Sequence, residues 1–409
     1  MNKFLKEFKD RGYFYQCTNE KELSKLLEKE KIKAYIGFDC TAESLHVGSL
    51  LQIMCLRLLQ KHGHKPIVLL GGGTTRIGDP SGKDKTRKIL NGKEIEKNIK
   101  SIQKILKNFL NNKDPKTKPI FVNNYSWLKD LNYISFLREI GKYFTINKML
   151  SFESVKNRLD REQSLSYMEF NYMILQAYDF LELNKKKDCS LQIGGSDQWG
   201  NIVNGTELIK RHSGNQAYGL TTPLITLASG AKMGKTEKGA IWLDKKLLSP
   251  YDYWQFWRNI DDKDVIKFLK MFTDINIEDI SNIENNNINN LKIKLANEAT
   301  SMLHGNKAAQ NSEQAAKEVF SGNFIGSNLP SVKIKSQDVN KKLTIIELVI
   351  LSNLEKSKSE VRRLIRGNAV KLNDETVADE KLLISDMVFN EGFLKLSIGK
   401  KRHIKIIFS

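Results

Sequence analysis

Alternating apolar runs and amphipathic segments in the N-terminal half of the chain predict strands and helices in turn. The apolar runs at 32–38 and 67–70 predict two buried strands, and an apolar segment from Leu50 to about Lys61 predicts a helix between them. Gly63 stands where a helix C-terminal cap is expected. A strand, a helix and a strand within about 40 residues predict a βαβ unit with parallel strands and a right-handed crossover.

The same alternation continues further along the chain. Residues 165–183 and 198–211 predict helices, and residues 190–193 and 223–227 predict strands. These elements extend the sheet of the first βαβ unit. The sequence therefore predicts an α/β domain of the doubly wound, Rossmann-like type, in which ligands bind at the carboxyl ends of the strands.

The pattern changes after this domain. It becomes helical from about Ser249, the stretch 322–340 has the composition of a linker, and the last segment combines a helix with strand-like runs at 369–373, 393–398 and 404–408. We therefore predict a small α-helical domain followed by a small α+β module. The predicted boundaries are an α/β domain over 1–247, a helical domain over 248–325, a linker over 326–342 and a C-terminal module over 343–409.

Composition and charge narrow the class of protein. The net charge of +19 over 409 residues suits a polyanionic partner such as a nucleic acid. The four cysteines show no CxxC pairing, which argues against a protein-held zinc ion and suits a reducing compartment. The charged N-terminus lacks an apolar signal segment, and no segment approaches the roughly 20 apolar residues that span a bilayer. We therefore expect a cytoplasmic protein that does not associate with a membrane.

Three residues of the first predicted strand share one face and point to a ligand. Tyr35, Gly37 and Asp39 alternate along the strand, and Gly37 leaves room for a ligand between two polar side chains. The alternative is a strand end at which these residues have no binding role.

The loop after that strand contains a candidate anion site. His46 stands just before a predicted helix, with Thr41 and Ser49 nearby, and the N–H groups of a helix start together with a histidine donor can bind an anion. Gly48 would let a flat ring lie against the backbone. The alternative is a histidine that only caps the helix or lies on the surface.

A glycine-rich stretch follows the second predicted strand, at 71–73 and again at 78–82. It lacks the spacing of a Walker phosphate-binding loop. Because open α/β sheets bind ligands at strand carboxyl ends, Asp79, Lys83 and Arg87 would be polar groups at the binding edge. The alternative is a flexible loop without a ligand.

A polar stripe lies on the otherwise apolar helix predicted at 165–183. Tyr172, Gln176 and Asp179 share one helix face, and buried polar side chains require partners. The stripe is therefore either the wall of a pocket for a polar, aromatic-sized solute or an internal hydrogen-bond network.

Two further loops carry candidate chemistry. Asp197 can cap the next helix, but Gln192, Asp197 and Gln198 together exceed what capping requires. The motif 232–236 is a Gly-flanked loop with two lysines, which can fold over a triphosphate and neutralise charge on a leaving pyrophosphate. The alternative for that loop is a solvated basic turn.

The C-terminal module contains a helix with a basic face. Ser357 and Glu360 have the spacing of a capping box at its start. Outward-pointing arginines suit contacts to phosphates, and the alternative is a solvated helix side. The basic residues of this helix are Lys358, Arg362, Arg363 and Arg366.

Taken in order over nearly the whole chain, these motifs resemble a bacterial-type tyrosyl-tRNA synthetase, a class I aminoacyl-tRNA synthetase. Residues 35–48 and 232–236 are similar to the two signatures of the family, and residues 343–409 resemble an S4-type RNA-binding module. Ser49 stands where many relatives carry a second histidine, and Cys40 where proline is usual. The segments similar to the amino-acid and adenylate pocket of the family are 78–83, 176–179 and 192–199.

The resemblance implies an activity and a set of site residues. ATP would activate L-tyrosine to tyrosyl-adenylate, and tyrosine would then pass to the 3′-terminal adenosine of tRNA(Tyr). Mg²⁺ would be bound through the ATP phosphates, and the implied assembly is a homodimer. The residues implied for tyrosine binding are Tyr35, Asp79, Tyr172, Gln176, Asp179 and Gln192, and those for RNA binding are Lys358, Arg362, Arg363 and Arg366. The residues implied for binding ATP or adenylate are Gly37, Asp39, His46, Gly48, Ser49, Gly195, Asp197, Gln198, Lys232, Met233 and Lys235. The residues implied to be catalytic are Thr41, His46, Lys83, Arg87, Lys232 and Lys235.

Within this resemblance each end of the substrate tyrosine has its own partners. Tyr35 and Asp179 would hydrogen-bond the phenolic hydroxyl, and Asp79, Tyr172 and Gln176 would hold the α-ammonium group. A site built around a substrate hydroxyl rejects phenylalanine because its own polar groups would be left unpaired, an effect for which tyrosyl-tRNA synthetases are the known example.

Two alternatives stay open from the sequence. A tryptophanyl-tRNA synthetase shares the fold, but Tyr35 with Asp179 favours a phenol over an indole. A non-catalytic RNA-binding protein of the S4 type would not require His46, Lys232 and Lys235. Amino-acid-dependent exchange of pyrophosphate into ATP distinguishes the three.

Overall fold

The structure is a computed structural model of the chain. It divides into two compact units, residues 1–244 with 261–291 and residues 245–260 with 292–409. The residues that it describes are 2–81, 90–110, 114–230, 233–236, 239–283, 287–321, 331–334, 343–384, 393–399 and 402–408.

Helices and strands alternate through the first unit, as the sequence pattern predicts. The described α-helices are α1 (Lys3–Asp10), α2 (Glu20–Lys29), α3 (Leu50–Lys61), α4 (Gly92–Phe109), α5 (Tyr125–Leu128), α6 (Tyr133–Glu139), α7 (Ile146–Ser151), α8 (Glu153–Asp160), α9 (Tyr167–Lys187), α10 (Trp199–Ser213), α11 (Pro250–Arg258), α12 (Val265–Phe272), α13 (Ile277–Ile283), α14 (Ile288–His304), α15 (Asn306–Ser321), α16 (Ile345–Leu351) and α17 (Lys358–Arg366). The described strands are β1 (Gln16–Cys17), β2 (Lys33–Asp39), β3 (Lys65–Gly71), β4 (Ile120–Asn123), β5 (Cys189–Gly195), β6 (Tyr218–Thr222), β7 (Lys235–Thr236), β8 (Gly239–Ala240), β9 (Ser331–Ile334), β10 (Val370–Leu372), β11 (Glu375–Thr376), β12 (Phe393–Ile398) and β13 (Arg402–Phe408).

The first unit is built around a mostly parallel sheet. Its described strands lie in the order β1-β6-β5-β2-β3-β4, and each neighbouring pair is parallel except β1 with β6. The chain leaves β2 toward β3 and β4 on one side and later returns through β5 and β6 on the other. The carboxyl ends of β2 and β5 therefore flank a topological switch point, where open α/β sheets bind ligands. The predicted parallel α/β domain is confirmed.

The predicted βαβ unit is confirmed in detail. Strands β2 and β3 pair in parallel from Lys33 with Lys65 to Asp39 with Gly71, so both end at the same edge of the sheet. Helix α3 lies between them and has the predicted bounds, and most of its apolar residues are buried in the core. Gly63 follows this helix with a φ of 79°, the left-handed conformation that ends helices and that favours glycine.

The strand predicted at 223–227 is wrong in position. The strand of this region is β6, which is fully buried and ends at Thr222. Pro223 follows directly and has no N–H group to donate to a neighbouring strand, so the ladder stops there. Leu224, whose apolar character suggested a strand, is 54% exposed.

The C-terminal part of the second unit is a small α+β module with its own core. Its described strands form a mixed sheet in the order β11-β10-β12-β13-β9, and β10, β12 and β13 correspond to the three predicted strands. Strand β9 pairs in parallel with β13, from Ser331 with Lys405 to Ile334 with Phe408. These four residues lie in the predicted linker, so the linker prediction is wrong for them, and the other domain boundaries stay predictions. None of the described helices is long and apolar enough to cross a membrane.

Candidate active site

A cavity of about 470 Å³ opens at the carboxyl ends of β2 and β5. Its walls come from these two strands, from the loops after β2 and β3, and from one face of α9. The switch point of the sheet therefore gathers predicted residues from distant parts of the chain. The predicted site residues that line the cavity are Tyr35, Gly37, Asp39, Thr41, His46, Gly48, Ser49, Asp79, Tyr172, Gln176, Asp179, Gln192, Gly195, Asp197 and Gln198.

Tyr35 and Asp179 form one buried part of the cavity wall. The Tyr35 hydroxyl is buried and makes no hydrogen bond among the described residues. Burial and the nearby Asp179 carboxylate keep the pKa of this hydroxyl well above its usual value, so it carries its proton. Because buried polar atoms nearly always have a partner, a hydroxyl of this kind on a cavity wall indicates a polar ligand atom.

The Asp179 carboxylate is fixed by two donors. Its Oδ1 accepts a hydrogen bond from Trp127 Nε1 at 2.7 Å, and its Oδ2 accepts one from Asn124 Nδ2 at 2.9 Å. Burial raises the pKa of Asp179 to about 7, although both hydrogen bonds lower it. The group can therefore change protonation near neutral pH.

Asn124 connects Asp179 with a second carboxylate. Its Oδ1 accepts from the Gly73 N–H at 2.7 Å, and its Nδ2 donates to Thr74 Oγ1 at 3.0 Å as well as to Asp179. Thr74 in turn donates to Asp39 Oδ1 at 2.8 Å. A continuous series of hydrogen bonds thus fixes Asp39 at the end of β2 relative to Asp179 on α9.

A second group of polar side chains lies around Asp79. Its Oδ1 accepts from the Ser81 N–H and its Oδ2 from Gln198 Nε2, each at 2.9 Å. The Tyr172 hydroxyl lines the same cavity and donates to Asp39 Oδ2 at 3.0 Å. The polar stripe predicted on α9 therefore serves both as a pocket wall and as part of a hydrogen-bond network.

Gln192 presents a further buried polar atom. Its side chain is buried on β5, lines the cavity, and its Oε1 makes no hydrogen bond among the described residues. Together with the Tyr35 hydroxyl, this oxygen is a second polar group that a bound ligand would satisfy.

The two motifs that are far apart in sequence contact each other. The Val47 N–H donates to Ile241 O and the Leu243 N–H donates to Leu45 O, each at 2.9 Å. This short antiparallel pairing brings the segment after the lysine motif onto the loop that contains His46. The two signatures, which are far apart in sequence, are therefore neighbours in the fold.

Gly48 and Gly234 make this approach sterically feasible. A Cβ atom at Gly48 would lie 2.6 Å from His46 Cε1 and 2.9 Å from Met233 O. Gly234 has a φ of 95°, and a Cβ atom there would lie 2.8 Å from Gly48 N. His46 itself accepts the Gly48 N–H at its Nδ1 atom at 3.0 Å, so it caps the helix start and lines the cavity at once.

Some predicted catalytic residues are not placed by the structure. Lys83, Arg87 and Lys232 lie outside the described residues. Lys235 begins the short strand β7, and its backbone pairs with Ala240. Their roles stay predictions.

The basic helix of the C-terminal module, α17, begins where the sequence predicts, and its arginines form ion pairs with carboxylates. Ser357 accepts from the Glu360 N–H at 3.4 Å, as half of a capping box, while the Glu360 carboxylate pairs with Arg363 at 2.7 Å. Arg362 and Arg366 both contact Glu380, at 3.7 and 2.7 Å. The arginine side chains are largely exposed, so RNA phosphates would compete with these carboxylates.

Sequence reasoning missed three residues that shape the site. Thr74, Asn124 and Trp127 hold cavity-lining carboxylates, and none belongs to a predicted motif. The available signal was an apolar run, now β4, followed by Asn124 at the carboxyl end of a parallel strand.

Comparison with known proteins agrees with this geometry. The family model for tRNA synthetases class I (W and Y) matches residues 27–321, and the model for the tyrosine–tRNA ligase SYY-like C-terminal domain matches residues 307–406. The chain is 74% identical over 406 residues to the tyrosine–tRNA ligase of Pelagibacter ubique (strain HTCC1062), with 99% of each chain covered. It is 54% identical over 413 residues to the tyrosine–tRNA ligase of Wolbachia sp. subsp. Brugia malayi (strain TRS), with 100% of this chain and 99% of that protein covered.

A solved structure gives the same result. The C-terminally truncated Aspergillus nidulans mitochondrial tyrosyl-tRNA synthetase superimposes with a TM-score of 0.71 at 30% identity, over 78% of this chain and 94% of that chain. The fold is that of a class I aminoacyl-tRNA synthetase. Within that class the chain belongs to the tyrosine–tRNA ligase family, which confirms the resemblance and the fold class predicted from the sequence.

Proposed function

We propose that this chain ligates L-tyrosine to tRNA(Tyr) in two steps at the cavity of the first unit. The tyrosine carboxylate attacks the α-phosphate of ATP, which forms tyrosyl-adenylate and releases pyrophosphate. The 3′-terminal ribose hydroxyl of the tRNA then attacks the tyrosyl carbonyl, and AMP leaves. No protein nucleophile is required, because catalysis rests on positioning and on stabilising the charge of the leaving group. The observation that carries the proposal is the Tyr35 hydroxyl, which is buried and makes no hydrogen bond among the described residues, in a cavity that His46 also lines.

The two polar groups of the cavity fit the two ends of tyrosine. Tyr35 would donate to the phenolic oxygen, while the Asp179 carboxylate accepts the phenolic proton. Asp79, Tyr172 and Gln176 would hold the α-ammonium group, since all three supply oxygen atoms to the same cavity. Gln192 would supply one further acceptor through its buried oxygen.

The nucleotide would lie toward the His46 side of the cavity. Gly37, Asp39, Asp197 and Gln198 would line the adenylate and Gly195 the ribose, while Thr41, His46 and Ser49 would contact the phosphates, with Gly48 giving them room. By resemblance, Lys83, Arg87, Lys232 and Lys235 would add positive charge, with Met233 beside them. Mg²⁺ would enter bound to the ATP phosphates, whose charge it partly neutralises.

Amino-acid-dependent exchange of labelled pyrophosphate into ATP tests the proposed function. We expect exchange with L-tyrosine and none above background with L-tryptophan or L-phenylalanine at the same concentration. Exchange that requires tryptophan would indicate the other specificity of this fold. No exchange with any of the three would overturn the proposal and leave only RNA binding.

The protonation of Asp179 predicts a pH dependence of tyrosine binding. The carboxylate must be ionised to accept the phenolic proton, and burial raises its pKa to about 7. Affinity is therefore fully present above this pKa, and we expect it to fall by about tenfold for each pH unit below it. The measurement is the dissociation constant of tyrosine by calorimetry from pH 5.5 to 8.5. An affinity that stays constant below pH 7, or an unchanged profile in Asp179→Asn, would contradict this assignment.

An apolar groove on the first unit suits a second copy of the chain. It has a volume of about 450 Å³ and is lined mainly by aromatic and aliphatic side chains such as Leu128, Phe136 and Tyr167. The neighbouring Ile134 is 70% exposed, and a contiguous exposed apolar patch of this kind marks an interaction site. We propose that the second copy is the occupant, which agrees with the homodimer that the resemblance implies.

An Ile134→Asp substitution tests the proposed dimer. Because this side chain is exposed in the single chain, we expect normal folding but a dimer dissociation constant raised by at least about tenfold, since a charge would be buried at the interface. Sedimentation velocity over a concentration series measures it. Leu351→Asp, which places the same charge at an exposed apolar residue of the second unit, is the control. Equal dimerisation of both variants and the unsubstituted chain would contradict the groove as interface.

The C-terminal module is proposed to contact the tRNA. One exposed face of α17 is basic and can supply contacts to phosphates; its residues are Lys358, Arg362, Arg363 and Arg366.

A cytoplasmic location is part of the proposed function, because tRNA and ATP are the substrates.

A further inference from the structure

Asn201 is a buried amide that contacts the polar residues around Asp79. It lies at the start of α10, is 5% exposed, and is not among the described residues that line the cavity. Its Nδ2 atom donates to Gln176 Oε1 at 3.0 Å and to Gln198 Oε1 at 3.2 Å, and it lies 3.5 Å from Ser81 Oγ. One side chain thus connects two cavity-lining glutamines that come from different elements.

These contacts fix which end of each glutamine amide faces which neighbour. A glutamine amide has an oxygen that accepts and a nitrogen that donates, so a donor placed against the oxygen determines its orientation. With its oxygen held by Asn201, Gln198 directs its nitrogen to Asp79 Oδ2 at 2.9 Å. Gln176 is likewise held with its oxygen as an acceptor, and a carbonyl oxygen can accept a second hydrogen bond.

We propose that Asn201 is a positioning residue that makes this part of the cavity selective for a cationic amine. The inference rests on the proposed function, in which Asp79, Tyr172 and Gln176 hold the α-ammonium group of tyrosine. Without the Asn201 donor, the Gln176 amide can turn and present its nitrogen to the ammonium group, so two donors would face each other. The Gln198 amide can likewise turn its oxygen toward the Asp79 carboxylate, where two acceptors repel.

Three ligands separate amine recognition from general damage to the site. L-tyrosine has the phenol, ammonium and carboxylate groups, tyrosinol lacks the carboxylate, and 3-(4-hydroxyphenyl)propanoate lacks the ammonium. In Asn201→Ala and in the similarly branched Asn201→Leu, we expect dissociation constants raised at least about tenfold for L-tyrosine and tyrosinol. For 3-(4-hydroxyphenyl)propanoate we expect a change within about twofold, because its binding does not use the amine contacts.

Asn204 provides the matched control on the same helix. It is 4% exposed, and its Nδ2 makes no hydrogen bond among the described residues. Asn204→Leu should leave all three dissociation constants within about twofold of the unsubstituted chain, whatever it does to the melting temperature. Asn201 variants that weaken all three ligands equally, or none of them, would overturn the positioning role.

Gln176→Leu distinguishes failure of this inference from failure of the proposed function. Selective weakening of the two amines in Gln176→Leu, without it in the Asn201 variants, would overturn the positioning role and leave the ammonium site in place. If Gln176→Leu also changes the dissociation constants of all three ligands by the same factor, the ammonium site itself is misassigned, and the inference about Asn201 is wrong as well.

Discussion

Asp179→Asn is expected to lose about 1,000-fold in kcat/KM for tyrosine activation, the largest effect of any single substitution considered for this chain. The carboxylate lies between two donors, Trp127 Nε1 and Asn124 Nδ2, and its ionised form accepts from both. An asparagine amide can accept from only one of them, so its own nitrogen would oppose the other donor. The substrate phenol would also lose a charge-assisted hydrogen bond. The two losses come to roughly 4 kcal/mol, which corresponds to a factor of about 1,000.

The measurement is pyrophosphate exchange with tyrosine and, in separate assays at a much higher concentration, with phenylalanine. Phenylalanine has no hydroxyl to bind Asp179, so its low rate should change much less and the preference for tyrosine should shrink. Glu182→Gln is the matched control, because this buried carboxylate lies on the same helix and pairs with Tyr178 at 3.0 Å outside the cavity. Full preference for tyrosine in Asp179→Asn, or an equal loss in Glu182→Gln, would contradict the phenol-binding role.

The parts of the site that could be predicted from the sequence are those whose residues repeat at the spacing of a single strand or helix. Tyr35, Gly37 and Asp39 alternate on β2, and Tyr172, Gln176 and Asp179 recur on α9, so each set was placed on one face by spacing alone. The structure brings both sets to the same cavity. The switch point of the sheet explains why, since the carboxyl ends of adjacent parallel strands meet there.

The residues that escaped prediction act across long sequence separations. Asn124 lies 55 residues from Asp179, and no local pattern reports that the two side chains meet. Asn201 lies at the start of α10, just after the predicted segment 192–199, and its partner Gln176 is 25 residues away on α9. Strand β9 is short and follows a Gly- and Pro-containing stretch, so its membership of the C-terminal sheet depends on pairing with β13, which is distant in sequence. The error at Pro223 is different, because it could have been avoided from the sequence. Proline has no N–H group, so the strand is expected to end at the residue before it.

His46→Ala is expected to slow the formation of tyrosyl-adenylate by about 100-fold, with the dissociation constant of tyrosine unchanged within about twofold. The ring accepts the Gly48 N–H at Nδ1, so a neutral ring carries its proton on Nε2 and can donate it to an anion. Such a donor acts where charge develops on the leaving pyrophosphate. In the proposed function tyrosine binds at the Tyr35 side of the cavity and does not require this donor. Single-turnover fluorescence and equilibrium binding measure the two quantities separately.

The same histidine also caps a helix start, and His46→Asn separates the two roles. Asparagine is a favourable N-cap residue and can accept the Gly48 N–H at Oδ1, but its amide nitrogen lies closer to the backbone than the imidazole Nε2 and does not reach the same position. If the imidazole acts on the phosphates, both variants lose a similar amount of rate while only His46→Ala loses stability. His62→Ala is the control at the opposite end of α3, where the histidine pairs with Glu7 at 2.8 Å, and it should keep the rate. Recovery of the rate in His46→Asn would mean that the cap alone matters, and weakened tyrosine binding with normal turnover at saturation would place His46 at the amino-acid side.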